Sequence, residues 1–467
     1  MERATMNDRK MTLGKLHNVL YILLILFSML QLKEINIGGI SLYLLLSLLT
    51  AASLICLNVR RNAGTQGWLK WRINQDWILM LLLGYALIRF MATFFNVRLA
   101  SGINLEFFIL LFISCLVYWV SCNRRSIGPG WLEITAFAGE LGSLGILLCF
   151  LGVEPLTEWF SLVHSNSGTI ASYLILPGIL SATVYCFSES KAQRIGALLG
   201  TIISFLTLLL NKNHVSLWLM ILFFLAIPCI FRPRAEWIKR DMQLLFLFLF
   251  LWCNMSLLVN YSEWIKKEVS FNLEASVYGE LILAVGGVIF FRHWDQIPEG
   301  KDLHRISMVR LQQHFRKLFA VVVFLLVGMI FSGNALNSLP DGGFSGFCKN
   351  VFLPLISELQ QGGSSFFLTL KELGLVMTLL SLLFLAIIGK RAYNNVHMDK
   401  GITNILFILY GIFLAGFFLW DISANVILVY IILLALGSSV REEVIQIKAE
   451  KIEIRKDGGN KEHENDE

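Results

Sequence analysis

Long apolar segments separated by short polar turns dominate the sequence. About fourteen of them reach helical length, and a helix of about twenty apolar residues crosses the hydrocarbon core of a bilayer. We therefore predict an all-α, polytopic integral membrane protein with about fourteen transmembrane helices. The first and seventh segments are short and are expected to insert only in part. The predicted cores are residues 19–32, 37–58, 76–95, 99–121, 131–152, 167–187, 197–211, 214–231, 241–259, 275–291, 318–336, 365–389, 402–420 and 423–440.

Composition supports this interpretation and excludes several other classes of protein. Of the 467 residues, 56% are hydrophobic and 15% are charged, whereas soluble domains average about 45–50% apolar and about 25% charged residues. A soluble enzyme, a disordered chain and a disulfide scaffold are therefore excluded. Seven of the eight cysteines lie in or beside apolar segments, and only Cys348 falls in a polar loop, so the cysteines do not predict disulfides.

The distribution of basic residues predicts the topology. With a cytoplasmic N-terminus, 31 of the 39 Lys and Arg residues fall in inner loops or tails and 6 in outer turns. Cytoplasmic loops of membrane proteins carry such an excess, which also accounts for the net charge of +6 without a nucleic-acid partner. Merging segments 197–211 and 214–231 into one helix would destroy this bias. We therefore predict that both termini are cytoplasmic.

The predicted topology divides the chain into two parts. Residues 1–440 form the transmembrane domain, and residues 441–467 form a charged cytoplasmic tail without a catalytic role. The largest predicted outer loop is 333–364, just before the twelfth helix. It contains an amphipathic stretch, 347–356, that is expected to lie on the outer membrane surface.

Charged residues within the predicted spans are candidates for function because an unpaired charge in hydrocarbon is costly. Most of them fall in the outer half of the bilayer. Arg89 requires a carboxylate, a phosphate or a water-filled cavity, and we predict that it lies close to Glu140, Glu280 or the Lys371–Glu372 pair in an outward-facing cavity. A structural salt bridge is the alternative role for any one of these charges. The set is Arg89, Glu106, Glu133, Glu140, Glu280, Lys371 and Glu372.

Two outer-face sites add titratable groups to these charges. The turn Asn211-Lys212-Asn213-His214 is predicted to face outward, as is the loop that carries His164. All other histidines are predicted on the inner side. Acid–base chemistry by histidine on the outer face would therefore depend on His164 or His214.

Three segments resemble the O-antigen ligase and polymerase superfamily. They are His164–Leu174 (HSNSGTIASYL), Leu206–Leu219 (LTLLLNKNHVSLWL) and Ser364–Leu375 (SSFFLTLKELGL). Their order and sidedness, and the large outer loop before the third, agree with that family over residues 156–384. The chain also departs from the family pattern. Lys212 stands where the family has an outer-turn Arg, Ser364 or Ser365 replaces the family's loop His, and Lys349 is the only cation in the outer loop.

The resemblance implies transfer of a glycan from undecaprenyl pyrophosphate to a glycan or lipid acceptor on the outer face of the bacterial cytoplasmic membrane. Such a glycosyltransferase needs no metal, nucleotide or other cofactor, because the pyrophosphate is already a leaving group. Electrostatic stabilisation and positioning then supply the catalysis. The residues expected to bind the pyrophosphate are Arg89, Lys212, Lys349 and Lys371. The candidate general bases are His214, Glu280 and Glu372.

Two other functions stay open at the level of sequence. A flippase for lipid-linked oligosaccharides often has fourteen spans, but the two halves of this chain are not similar to each other, as an internal repeat would require. A non-catalytic membrane partner in polysaccharide assembly is the third possibility, because the family's Arg and His are missing.

Overall fold

The computed structural model describes residues 73–95, 130–188, 190–230, 235–260, 301–331, 352–358, 365–396 and 402–419, with shorter pieces within 19–53, 109–118 and 279–292 and a few single residues. We number the helices in chain order. They are α1 (Ile73–Phe94), α2 (Gly130–Phe150), α3 (Glu154–Thr157), α4 (Ser167–Phe187), α5 (Lys191–Leu210), α6 (His214–Ile230), α7 (Ala235–Asn260), α8 (Lys301–Phe331), α9 (Ser365–Val396) and α10 (Ile402–Leu419). A 3₁₀ turn, Ser161–His164, precedes α4.

Four of the described helices contain segments that are long and apolar enough to cross a bilayer: Leu132–Phe150, Ser167–Phe187, Lys191–Leu210 and Gly374–Asn394. Shorter apolar helical segments are Trp77–Ala92, His214–Cys229, Gly279–Ile289 and Leu406–Leu419. The chain is thus a helical membrane protein, as the sequence predicted. The count of fourteen spans and the orientation of the termini stay predictions.

The structure changes the seventh and the second of the predicted segments. The seventh, predicted as a short core at 197–211, belongs to α5, which begins at Lys191 and has 20 residues. The first turn of α5 is polar, with Lys191 and Arg194, so a search for apolar segments places the helix start too late. The second predicted segment begins in a small antiparallel pair instead, Asn36–Ile37 with Ile40–Ser41, across Gly38-Gly39, a dipeptide that favours a tight hairpin turn.

Helix α4 lies at the centre of the described bundle. Every residue from 170 to 183 is buried, and a helix that is apolar all round is typical of a bundle core. Helices α2, α5 and α7 pack around it. The phenol of Tyr173 donates a hydrogen bond to the carbonyl of Met29, which ties the N-terminal segment to the bundle.

Glycines allow the closest approaches between these helices. A Cβ on Gly142 would overlap the Tyr173 hydroxyl and the Met29 carbonyl oxygen, and one on Gly145 would overlap the Phe160 ring. Small residues at interfaces let helices pack closely in membranes, where dispersion contacts replace the hydrophobic driving force. These glycines therefore set the distance between α2 and its neighbours.

Helix α9 packs against α1 and α10 and is broken near its start. Gly374 has φ 79° and ψ 170°, so two helical pieces meet there. A side chain at this φ would be strained, and glycine avoids that strain. The prediction of a single apolar span at 365–389 is therefore corrected: a break at Gly374 separates residues 365–373 from the apolar span Gly374–Asn394.

Candidate functional site

The turn between α5 and α6 has a tightly defined backbone. Lys212 adopts φ 57° and is the only non-glycine residue with positive φ in the part of the chain that the structure describes. Its backbone N–H donates to the Leu209 carbonyl at 3.2 Å. The Asn213 side chain then caps α6 by accepting from the Ser216 N–H at 2.9 Å. Positive φ and a bond back to the last turn are typical of the residue after a helix C-cap, a position that glycine usually occupies.

The turn contacts the start of α4, where the first of the three resembling segments lies. The Asn211 side-chain amide donates to the Ser167 carbonyl at 2.8 Å. Asn166 caps α4 by accepting from the Thr169 N–H at 2.7 Å. The first and second resembling segments are therefore in direct contact, whereas the exposed His164 imidazole lies against the Thr157 carbonyl.

A helical segment of the predicted outer loop, residues 352–358, packs against α6. Leu355 and Ile356 are buried, and the Phe352 ring stacks on Trp218 with centroids 5.1 Å apart. Trp252 of α7 forms a T-shaped contact with Trp218, with ring centroids 6.2 Å apart. Residues 352–356, the described part of the amphipathic stretch, thus turn apolar side chains toward protein, and their position at the outer membrane surface stays a prediction.

Glu358 joins this segment to the N-terminus of α6. Its Oε2 accepts the Val215 N–H at 3.1 Å, one of the N–H groups that a helix start leaves without a partner within the helix. Burial raises the pKa of Glu358, and hydrogen bonds from the backbone N–H groups of His214 and Val215 partly offset this by lowering it. Glu358 was not among the site residues predicted from the sequence. The available signal was its position two residues after the amphipathic stretch, in a loop with one other acidic residue, Asp341.

Three enclosed polar atoms lie in this turn and in the first turns of α6. They are Asn211 Oδ1, His214 Nδ1 and Trp218 Nε1, and none of them has a hydrogen-bond partner among the described residues. His214 and Trp218 are four residues apart on α6 and therefore share a face of that helix, whereas Asn211 lies at the end of α5, across the turn. Buried polar atoms are nearly always satisfied in folded proteins. Each of these atoms can therefore take a further hydrogen-bond partner.

Arg89 lies in a different part of the molecule. It is buried on α1, and its Nη1 is 3.3 Å from the position that a Cβ would occupy on Gly374. The guanidinium therefore lies at the break in α9. Lys371 and Glu372 come shortly before this break in the sequence, and their side chains are outside the described residues. Glu140, another carboxylate proposed to pair with Arg89, instead accepts a hydrogen bond from Ser181.

The remaining predicted site residues lie apart from the turn in the chain. Glu280 is half-buried and within electrostatic reach of Cys253. Lys349 is half-buried in the outer loop, three residues before the 352–358 segment. Lys212 and His214 are thus the two predicted site residues that the structure brings together in one turn, and Asn211, Trp218 and Glu358 join them.

Neither metal ligation nor similarity to known proteins assigns a function. No group of three or more His, Cys, Asp or Glu side chains suited to a metal occurs among the residues whose placement is described. Compared with known protein families, with curated proteins and with solved structures, the chain finds no match.

Proposed function

We propose that this protein is a membrane glycosyltransferase of the polymerase or ligase type, with its reaction centre at the 211–214 turn. Its substrate is a glycan linked through pyrophosphate to a polyprenol such as undecaprenol, and its acceptor is a sugar hydroxyl on the outer face of the bacterial cytoplasmic membrane. The observation that carries the proposal is the group of enclosed polar atoms on Asn211, His214 and Trp218 beside the cation Lys212.

A sugar hydroxyl suits these atoms because it both donates and accepts hydrogen bonds. Trp218 Nε1 donates and Asn211 Oδ1 accepts. His214 Nδ1 accepts when the ring proton is on Nε2. In this arrangement His214 takes the proton of the acceptor hydroxyl as general base. The hydroxyl oxygen forms a bond to the anomeric carbon, and the bond from that carbon to the pyrophosphate oxygen breaks.

The electron pair of the broken bond leaves with the pyrophosphate, so the site needs a cation for the leaving group. Lys212 supplies a point charge for this purpose, and Lys349 is a second cation in the outer loop. Glu358 has the role of a positioning residue, because its hydrogen bond to Val215 holds the loop segment against α6. Arg89 and Lys371 are proposed to bind the same lipid-linked substrate away from the turn, and Glu280 and Glu372 stay alternative bases.

The test uses the purified full-length protein in vesicles that contain a polyprenyl-pyrophosphate oligosaccharide, with released polyprenyl pyrophosphate and product length as readouts. Removal of one charged contact to phosphate costs about 1.5–3 kcal/mol, so Lys212→Ala should slow release roughly 10- to 150-fold. Lys212→Arg should retain activity. His214→Ala should slow transfer without weakening binding of the lipid-linked donor.

Release of polyprenyl pyrophosphate that is unaffected by both Lys212→Ala and His214→Ala would contradict the proposal. Movement of the intact donor across the bilayer without release would instead indicate a flippase. Absence of both activities in folded protein, with loss of polymer in a strain lacking the gene, would indicate a non-catalytic assembly partner.

A further inference from the structure

Glu140 lies in the middle of a membrane-spanning helix and in contact with two others. It is the eleventh residue of α2, within the apolar span Leu132–Phe150. Ser181 Oγ of α4 donates to its Oε1 at 2.7 Å. A Cβ on Gly200 of α5 would overlap the Glu140 carboxyl group. The glycine on α5 thus makes room for this carboxyl group between the three helices.

The charged residues on the helices packed around Glu140 lie far from it along the bundle. Helix α4 contains no Asp, Glu, Lys or Arg. On α5, Lys191 and Arg194 belong to the first turns, and Arg194 is about 9 Å along the axis from Gly200. On α2 itself, Glu133 is about 10 Å away along the axis and accepts a hydrogen bond from Gln193.

The other titratable groups on these elements also face elsewhere. The Tyr173 phenol donates to the Met29 carbonyl, and Tyr185 and Cys186 lie at the end of α4 nearest Arg194. Glu154 and His164 belong to the short elements beyond the opposite end of α2. Among the described residues, Glu140 therefore has one hydrogen-bond donor and no cation. An unpaired carboxylate at this depth is costly, whereas the neutral acid retains the Ser181 contact.

A row of buried polar side chains leads from Glu140 to the 211–214 turn. Ser143, one turn beyond Glu140, lies 3.5 Å from Ser204 across the α2–α5 interface. Thr207 Oγ1 donates to the Ser143 carbonyl at 3.2 Å, and Asn211 follows on the same face of α5. In the opposite direction, the buried Ala197 interrupts the row.

We propose that Glu140 is a proton-binding site within the helix bundle, and that its proton exchanges with the side of the membrane on which the 211–214 turn lies. This site is separate from the proposed transfer site and does not depend on the proposed function. The ligand is a proton, held as a carboxylic acid. The row of polar side chains determines from which side of the membrane protons reach the Glu140 carboxyl group.

The test uses the unmodified protein in sealed lipid vesicles. Dicyclohexylcarbodiimide, which reacts with protonated carboxylic acids in apolar surroundings, serves as the probe, and mass spectrometry locates the adduct. Orientation is read from labelling of Cys348 by an impermeant thiol reagent, because Cys348 precedes the loop segment that contacts the turn. We expect an adduct on Glu140 at neutral pH. Its yield should fall about tenfold per pH unit beyond the midpoint when only the turn side is made alkaline.

Two carboxyl variants on the same helix provide a matched pair. Glu140→Gln should remove the adduct from the α2 peptide, whereas Glu133→Gln should leave it. Thr207→Val should slow the loss of labelling after an alkaline shift on the turn side, because it removes a hydroxyl from the row. An unlabelled Glu140 in folded wild-type protein would overturn the proton site. Labelling that responds to the pH of the opposite side, or a Thr207→Val protein that matches the wild type, would overturn the route.

Discussion

Loss of the Glu358 carboxylate should release the loop segment from α6. In Glu358→Ala the Val215 N–H loses its side-chain acceptor, and Val215 is only 4% exposed. A buried donor left unsatisfied costs about 1–3 kcal/mol. Amide hydrogen exchange at the start of α6 and in residues 352–358 should therefore accelerate roughly 5- to 150-fold.

The pH dependence of this contact follows from the raised pKa of Glu358. Burial makes the docked carboxyl group hold its proton to higher pH than an unfolded glutamate does. The docked state therefore binds more protons than the undocked state. The stabilisation that Glu358 gives to the docked state is therefore fully present at low pH. It falls as the pH rises through the pKa of Glu358 in the docked state. The protection factor of residues 352–358, which is corrected for the intrinsic pH dependence of amide exchange, should therefore fall with increasing pH.

Glu358→Gln is the matched control. Its amide oxygen can still accept the Val215 N–H, and it carries no charge at any pH, so docking should persist and the protection factor should no longer change with pH. Hydrogen exchange measured by mass spectrometry in lipid nanodiscs is the assay, with the same peptides compared at several pH values. Exchange in Glu358→Ala equal to that of the wild type, or Glu358→Gln behaving like Glu358→Ala, would refute this reasoning.

Lys212→Asn should keep or slightly raise the melting temperature, because Asn tolerates positive φ, yet it should slow the release of polyprenyl pyrophosphate as much as Lys212→Ala does; a parallel loss of stability would point to a structural role instead. Gly142→Ala should destabilise the protein by about 1–3 kcal/mol because its Cβ would overlap Tyr173, whereas Gly196→Ala, whose Cβ meets no atom within 4 Å, should not lower the melting temperature. Impermeant thiol labelling of Cys348 in intact cells should succeed, and labelling only after the inner face is opened would invert the predicted topology.

The sequence predicted the class of this protein well because that class depends on one-dimensional quantities. Apolar segments of bilayer length predict membrane helices, whichever other helices these segments pack against. The separation of α5 from α6 was also predicted, and the helix end at Leu210 and restart at His214 agree with it. The break at Gly374 was not predicted, because the glycine interrupts no apolar run and its positive φ is visible only in the folded chain.

The candidate site likewise contains residues that the sequence indicated and residues that only the structure revealed. The sequence indicated Lys212 and His214, because a short polar turn between two apolar helices stands out in the chain. It did not indicate Glu358, which contacts Val215 from 143 residues away, nor that Glu140 lies against Ser181 rather than Arg89. A hydropathy pattern fixes which residues lie within the membrane but carries no information on which helix faces which. Only the tertiary packing decided those neighbours, because contacts between helices depend on the shapes and rotations of all their faces together.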